Sequence, residues 1–91
     1  MPAEPMTPDN IKAVAEGLTT NTKEFLCSPM YGARSHDIDE AWFHGVGLWA
    51  GRVTAKLGLV ERRRMNPGIF ASIPTDIGLA VRAYLQQETQ P

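Results

Sequence analysis

Two short runs of residues that favour β-strands flank a turn in the second half of this 91-residue chain. The first run covers 59–64, the second covers 69–73, and the turn between them contains Pro67 and Gly68. Two such runs joined by a short turn of this kind predict a β-hairpin. Pro74 ends the second run, because proline cannot donate a hydrogen bond to a neighbouring strand. We therefore expect an α+β fold that contains one hairpin.

Helices are predicted on both sides of this hairpin. Thr7-Pro8-Asp9 is a typical helix start, with a capping hydroxyl, a proline in the first turn and a carboxylate at the positive end of the helix dipole. An apolar stripe follows at i, i+3, i+4 and i+7 and consists of Ile11, Val14, Ala15 and Leu18. After the hairpin, Thr75 caps a last helix whose apolar side consists of Ile77, Val81, Tyr84 and Leu85.

The middle of the chain predicts one or two further helices. The first helical pattern resumes through Phe25 and Leu26 unless Gly17 and the threonines at 19–22 split it, and 31–32 reads as loop. Ser35 begins a second pattern, with apolar residues spaced by three or four: Ile38, Trp42, Val46, Trp49, Val53 and Leu57. Gly45 and Gly47 make a break as plausible as one long helix over 38–57.

The length fits one domain, which we place at 7–86 between a flexible segment at 1–6 and a frayed tail at 87–91. No run reaches the roughly 20 apolar residues of a bilayer-spanning helix, and the N-terminus does not resemble a secretory signal. The single cysteine, Cys27, excludes an intramolecular disulfide. It also suits a reducing compartment, so we expect a cytoplasmic protein with no membrane partner.

The segments 57–64, 69–73 and 74–78 together resemble the wing and the following helix of MarR-like regulators. The residues that carry the resemblance are Leu57-Gly58-Leu59-Val60-Glu61-Arg62-Arg63-Arg64, Ile69 to Ile73, and Pro74-Thr75-Asp76-Ile77-Gly78. The likeness extends over 38–85 and implies a mostly helical winged helix-turn-helix domain with one β-hairpin wing. It also implies a recognition helix over 48–57, after a turn at 45–47.

This resemblance and the position of the cations predict a small regulator of transcription that binds double-stranded DNA. The candidate DNA-binding residues are Arg34, Arg52, Thr54, Lys56, Arg62, Arg63 and Arg64. Arg52 and Lys56 are one helical turn apart. In a strand, Arg62 and Arg64 point to one side and Arg63 to the other. The alternative is that these are solvated surface cations with no nucleic-acid partner.

The aromatic residues Trp42, Trp49 and Tyr84 leave a second function open. Core packing is the default for two indoles on an apolar stripe, and the alternative is a partner or dimer interface. A homodimer through the terminal helices would use such a surface. So would a protein-binding winged helix, such as a phage-type factor that docks on a host enzyme. The net charge of −1 suits this alternative as well as it suits DNA binding.

We expect no metal, no cofactor and no catalytic residues. On a helix, His36, Glu40 and His44 would share one face but would span about 12 Å, which is too far for one ion to bind all three. Cys27 is typical of a small buried side chain, and the serines lack the Gly-x-Ser-x-Gly setting of a nucleophile. The sequence therefore predicts that the protein is not an enzyme.

Overall fold

The computed structural model of the chain describes residues 7–89. In chain order the elements are α1 (Pro8–Glu16), α2 (Thr20–Cys27), β1 (Tyr31–Ala33), a 3-10 turn (Arg34–His36), β2 (Ile38–Gly45), α3 (Trp49–Lys56), β3 (Val60–Asn66), β4 (Ile69–Pro74) and α4 (Asp76–Thr89). The segment predicted to be flexible, 1–6, lies outside the described residues. The helix α4 continues beyond the predicted domain end at 86.

Capping hydroxyls begin three of the four helices. The Thr7 side chain accepts a hydrogen bond from the Asn10 amide at 3.2 Å, with Pro8 in the first turn. Thr19 caps α2 in the same way, so α1 and α2 are separate helices and the alternative of one continuous helix is excluded. Thr75 accepts from the Gly78 amide at 3.1 Å at the start of α4. Each cap satisfies an amide that has no partner inside its helix.

The four strands form one antiparallel sheet in the order β1-β2-β4-β3. The predicted hairpin is confirmed as β3 and β4, with Arg62 opposite Ser72 and Arg64 opposite Phe70. We call the side of the sheet that packs against the helices the inner face and the opposite side the outer face. Because side chains alternate along a strand, Val60, Arg62 and Arg64 lie on the inner face and Arg63 lies on the outer face.

The prediction of a winged helix-turn-helix with a single hairpin wing is wrong. The segment 38–45, expected to be the first part of a long helix or a helix of its own, is the strand β2, and 31–32, expected to be loop, lies in the strand β1. The sheet therefore has four strands instead of two. Only the second half of the predicted helical region is helical, as α3, and the element directly before α3 is the strand β2 instead of the first helix of a helix-turn-helix.

A bulge in β2 explains why Ile38 and Trp42, whose spacing predicted a shared helix face, lie in different environments. Ala33 pairs with Ile38 and Tyr31 pairs with Ala41, so β2 contains one more residue than β1 between these two pairs. The extra residue places Ile38 and Ala41 in one cluster on the outer face, whereas Trp42 belongs to the other cluster. Ile38 and Trp42 are four residues apart and would share one side of a helix, but in β2 they belong to different clusters.

The main core lies between the inner face and the helices α1, α2 and α4. Its buried members are Ala15, Leu18, Leu26, Trp42, Leu59, Val60, Val81 and Leu85. Trp42 is 3% exposed, and its indole Nε1 donates a hydrogen bond to the Ser28 carbonyl at 3.0 Å. A smaller cluster on the outer face consists of Ile38, Ala41 and Ala71.

The backbone at the start of α4 packs directly against the backbone at the start of β3. The Thr75 amide donates to the Leu59 carbonyl at 3.0 Å, and the Thr75 hydroxyl lies 2.7 Å from the Gly58 carbonyl oxygen. Gly78 faces the same Leu59 carbonyl, where a Cβ atom would lie 1.8 Å from the oxygen. Only glycine permits this approach.

None of the helices in the described part of the chain has the length and apolar character needed to cross a bilayer.

Candidate nucleic-acid interface

Basic residues are concentrated in one part of the chain. The segment 41–75 contains five of the nine Lys and Arg residues (Arg52, Lys56, Arg62, Arg63 and Arg64) but only one of the ten Asp and Glu residues, Glu61. This segment spans most of β2, all of α3 and the β3–β4 hairpin. The small net charge of the whole chain therefore conceals a basic half and an acidic half. A near-neutral protein can still present a local field that attracts an anion.

On α3, three exposed side chains form a stripe. Trp49, Arg52 and Lys56 follow at i, i+3 and i+7, so at 3.6 residues per turn they lie on one side of the helix. All three are exposed, and the Trp49 side chain is 70% exposed. The opposite side of α3 is buried and consists of Ala50, Gly51 and Thr54.

The position of α3 on the inner face is fixed by a close contact with His44. A Cβ atom at Gly51 would lie 2.7 Å from Cε1 of the His44 ring, so the helix backbone lies directly against that ring. The two ring nitrogens of His44 lie within hydrogen-bond distance of the Ser72 hydroxyl and of the Gly45 carbonyl oxygen. These contacts hold the ring in place and thereby set the distance between α3 and the sheet.

Arg62 and Arg64 project from the same inner face onto a shared aromatic ring. The guanidinium carbon of Arg62 lies 4.2 Å from the centroid of the Phe70 ring, and that of Arg64 lies 5.8 Å from it. Both distances fit cation–π contacts, which orient a guanidinium without neutralising its charge. Among the described residues, the one ion pair within 4.0 Å joins Lys12 and Glu16. The charges of Arg62 and Arg64 are therefore not balanced by a bonded carboxylate.

We call Arg52, Lys56, Arg62 and Arg64 the basic surface. Arg52 and Lys56 lie on the exposed side of α3, and Arg62 and Arg64 lie on the face of the sheet against which α3 packs. Arg62 is half-buried, whereas the other three are exposed. Four cations on one side of the molecule can contact several phosphates of one polyanion.

The other predicted DNA-binding residues lie elsewhere. Arg63 is on the outer face, where its Nη1 donates to the His36 carbonyl at 3.1 Å, in the 3-10 turn that also contains Arg34. Thr54 is fully buried, and its hydroxyl donates to the Ala50 carbonyl at 2.8 Å. A buried, satisfied hydroxyl has no surface to offer a nucleic acid, so Thr54 does not belong to the interface. Thr54 is buried because its side of α3 packs against the rest of the protein, and the sequence did not indicate which side of the helix that would be.

The three aromatic residues considered for a partner interface occupy different environments. Trp42 is inside the core and presents almost no surface. Trp49 is exposed on α3, and Tyr84 is half-buried on α4. The alignment of His36, Glu40 and His44 on one helix face does not exist, because His36 is in the 3-10 turn and the other two are in β2. Within residues 7–89, no group of three or more His, Cys, Asp or Glu side chains is placed to hold a metal ion.

Two shallow clefts flank the N-terminal end of α3. One is lined by Leu48 and Trp49 together with residues of α2, including Asn21 and Phe25. The other lies between Tyr31, Phe43 and Leu48, and Phe25 borders both clefts. Tyr31 is 65% exposed, and Phe43 and Leu48 are also exposed. Aromatic and aliphatic side chains therefore reach solvent close to the first turn of α3.

A separate groove runs between α1, α2 and α4 and has a volume of about 360 Å³. Its lining residues are Ala15, Glu16, Thr20, Lys23, Glu24, Cys27, Tyr84, Leu85 and Glu88. Partial burial and the nearby carboxylates of Glu88 and Glu16 raise the pKa of the Tyr84 hydroxyl above its usual value. This groove belongs to the acidic half of the molecule.

Phe70 and Leu48 are among the residues of this region that the sequence did not single out. A two-residue turn at 67–68 alone would place Phe70 across from Met65. The observed pairing of Phe70 with Arg64 results from a β-bulge between Arg64 and Asn66, which the sequence does not indicate. No sequence signal identifies Leu48, because its exposure depends on how α3 packs against α2.

Comparison with known proteins assigns no family to this chain. No family model matches it, and no curated protein or solved structure matches it either. Function must therefore be argued from the site itself.

Proposed function

We propose that this protein binds nucleic acid through the basic surface formed by Arg52, Lys56, Arg62 and Arg64. The observation that carries the proposal is the segregation of charge, with five Lys or Arg residues and one carboxylate in 41–75. Nucleic-acid affinity comes largely from Lys and Arg that neutralise phosphates and release counterions. A nucleic-acid partner also agrees with the cytoplasmic location predicted from the single cysteine.

The proposal retains the nucleic-acid partner and the regulatory role predicted from the sequence but not winged-helix docking. A winged helix would insert a recognition helix and contact flanking DNA with its wing. Here the exposed side of α3 and the hairpin arginines act together as a patch on one face of a four-stranded sheet. Such a patch supplies contacts to the phosphate backbone, so we expect weak dependence on sequence.

The salt dependence of binding tests this proposal. The measurement is fluorescence anisotropy of a labelled 20-nucleotide duplex and of the matching single strand, between about 50 and 200 mM salt. Four phosphate contacts predict a slope of log K against log salt of about −3.6 for the duplex and about −2.8 for the single strand. The double variant Arg52→Gln/Lys56→Gln should make these slopes shallower by about 1.8 and 1.4, respectively.

A matched control removes the same number of charges from the opposite side of the molecule. Arg34→Gln/Arg63→Gln lowers the net charge equally but alters only the 3-10 turn and the outer face. We expect this variant to keep the parent slope. The proposal is wrong if the parent protein binds neither probe at low salt, or if both double variants lose the same amount of slope.

A second function, the protein-binding module, is favoured by the exposed Tyr31, Phe43 and Leu48 side chains. Exposed apolar groups that line clefts are typical of protein interaction sites. An apolar protein interface should respond little to salt, in contrast to a phosphate interface. The same anisotropy titration, repeated with a candidate protein partner, therefore distinguishes the two functions.

A further inference from the structure

Trp49 is the most exposed large apolar side chain of those described, and nothing in the fold requires it to be a tryptophan. It lies in the first turn of α3 with 70% of its surface accessible. The aromatic contacts in residues 7–89 join Phe25 to Trp42 and to His44, and His44 to Phe70, and none involves Trp49. The indole ring is thus available to an external partner.

The surroundings of Trp49 identify the chemistry of that partner. Arg52 and Lys56 continue along the same side of α3, within about 10 Å of helix axis. Neither cation forms an ion pair with another residue in 7–89. A ring next to two such cations is complementary to a molecule that alternates flat apolar groups with negative charges. Nucleotides have this arrangement, since a base stacks on an aromatic ring while the neighbouring phosphate meets a cation.

The cleft beside Trp49 adds groups that can contact the edge of a base. It is bordered by Leu48 and Phe25, which are apolar, and by Asn21 and Glu24, which are polar. An Asn side chain can donate and accept hydrogen bonds, and a carboxylate accepts them from an exocyclic amino group. A phosphate would be repelled by Glu24, so this cleft suits the base and α3 suits the backbone.

From this juxtaposition we infer that the ligand is single-stranded, with an unpaired base stacked on the Trp49 indole and its phosphates on Arg52 and Lys56. Bases inside a duplex are already stacked on their neighbours and cannot present a face to the ring, whereas unpaired bases can. The inference rests on the proposed function and deepens it, because it names the form of nucleic acid that the basic surface binds.

The test compares Trp49 variants on a 12-nucleotide deoxythymidine strand and on a mixed-sequence duplex. Trp49→Ala should weaken binding to the strand about 5- to 150-fold, the range expected for loss of one stacked base. Trp49→Phe should recover most of this loss because it restores a ring, whereas Trp49→Leu should not. Duplex binding should change less than 2-fold in all three variants. Because Trp49 is exposed, all three variants should remain folded, which circular dichroism checks.

Tryptophan fluorescence gives an independent measurement. Trp42 is buried, so the deoxythymidine strand can reach only Trp49, and binding should quench part of the parent emission and none of the emission of Trp49→Phe. If strand binding persists unchanged in Trp49→Ala, the stacking inference is overturned while the proposed function stands. If no probe binds to the parent at low salt, the proposed function itself fails. If Trp49→Ala instead abolishes self-association in light scattering and leaves strand binding intact, the ring serves a protein interface and the inference is wrong.

Discussion

Substituting Gly78 tests the close approach of the α4 backbone to the start of β3. A Cβ atom there would lie 1.8 Å from the Leu59 carbonyl oxygen, whereas real Cβ contacts stay beyond 3.0 Å, so α4 must move away by at least about 1.2 Å. Overpacking of this kind costs about 1–3 kcal/mol. The movement also breaks the hydrogen bonds that Thr75 donates to the Gly58 and Leu59 carbonyls, each contributing about 0.5–1.5 kcal/mol.

Intrinsic helix propensity predicts the opposite result. Alanine is favoured over glycine inside a helix by about 1 kcal/mol, so Gly78→Ala would stabilise α4 if the helix were free of neighbours. Subtracting this gain from the losses gives a net destabilisation of about 3 kcal/mol, within a range of about 1–5 kcal/mol. For a domain of this size we expect the midpoint of thermal unfolding to fall by about 4–8 °C per kcal/mol.

Urea and thermal unfolding, followed by tryptophan fluorescence and circular dichroism, measure this effect. The control is Gly17→Ala at the end of α1, where φ is −80° and the nearest atom to a new Cβ lies at 3.4 Å. Gly17→Ala should be neutral or slightly stabilising. If Gly78→Ala is as stable as the parent or more so, α4 does not pack against the start of β3 as described, and the reasoning is refuted.

Two further changes probe the acidic groove and the core. The raised pKa of Tyr84 means that the native state holds the phenolic proton more tightly than the unfolded chain does, so the free energy of unfolding should fall as pH rises above 10.0. In Tyr84→Phe the free energy of unfolding should not show this decrease. Urea midpoints of the parent and of Tyr84→Phe, measured at about pH 9 and 11, test this, and an equal loss of stability in the two proteins would contradict it. Trp42→Phe removes the hydrogen bond to Ser28 and part of a buried ring. It should lower the free energy of unfolding by about 1–3 kcal/mol in the same urea assay, and an unchanged midpoint would refute this.

The elements with local signals could be predicted from the sequence. Thr7-Pro8 and Thr75 mark helix starts because each cap involves atoms only three residues apart. The hairpin is equally local, since its strands are joined by a short turn. The helix α3 is confirmed within the predicted range 48–57.

The strands β1 and β2 could not be predicted in the same way. The spacing between Ile38 and Trp42 suits a helix, and the bulge that separates their environments arises only when β1 pairs with β2. The sheet also requires β2 to pair with β4, which is distant in sequence. Such contacts depend on tertiary packing, which overrides local propensity.

The candidate site shows the same division. The i, i+4 spacing of Arg52 and Lys56 and the alternation of Arg62, Arg63 and Arg64 followed from helix and strand geometry. The burial of Thr54 and the exposure of Trp49 did not, because they depend on which side of α3 meets the His44 ring.

β3 is an edge strand of the sheet, and this affects how binding by arginine variants is interpreted. An edge strand has backbone N–H and C=O groups without partners in its own sheet, and the same strand of another copy could pair with them. Charged side chains on an edge strand are a common protection against such aggregation. Three consecutive arginines on β3 make two copies repel each other there. A variant that lacks all three would be prone to aggregate, so its loss of binding would have meaning only after light scattering had established that it is monodisperse.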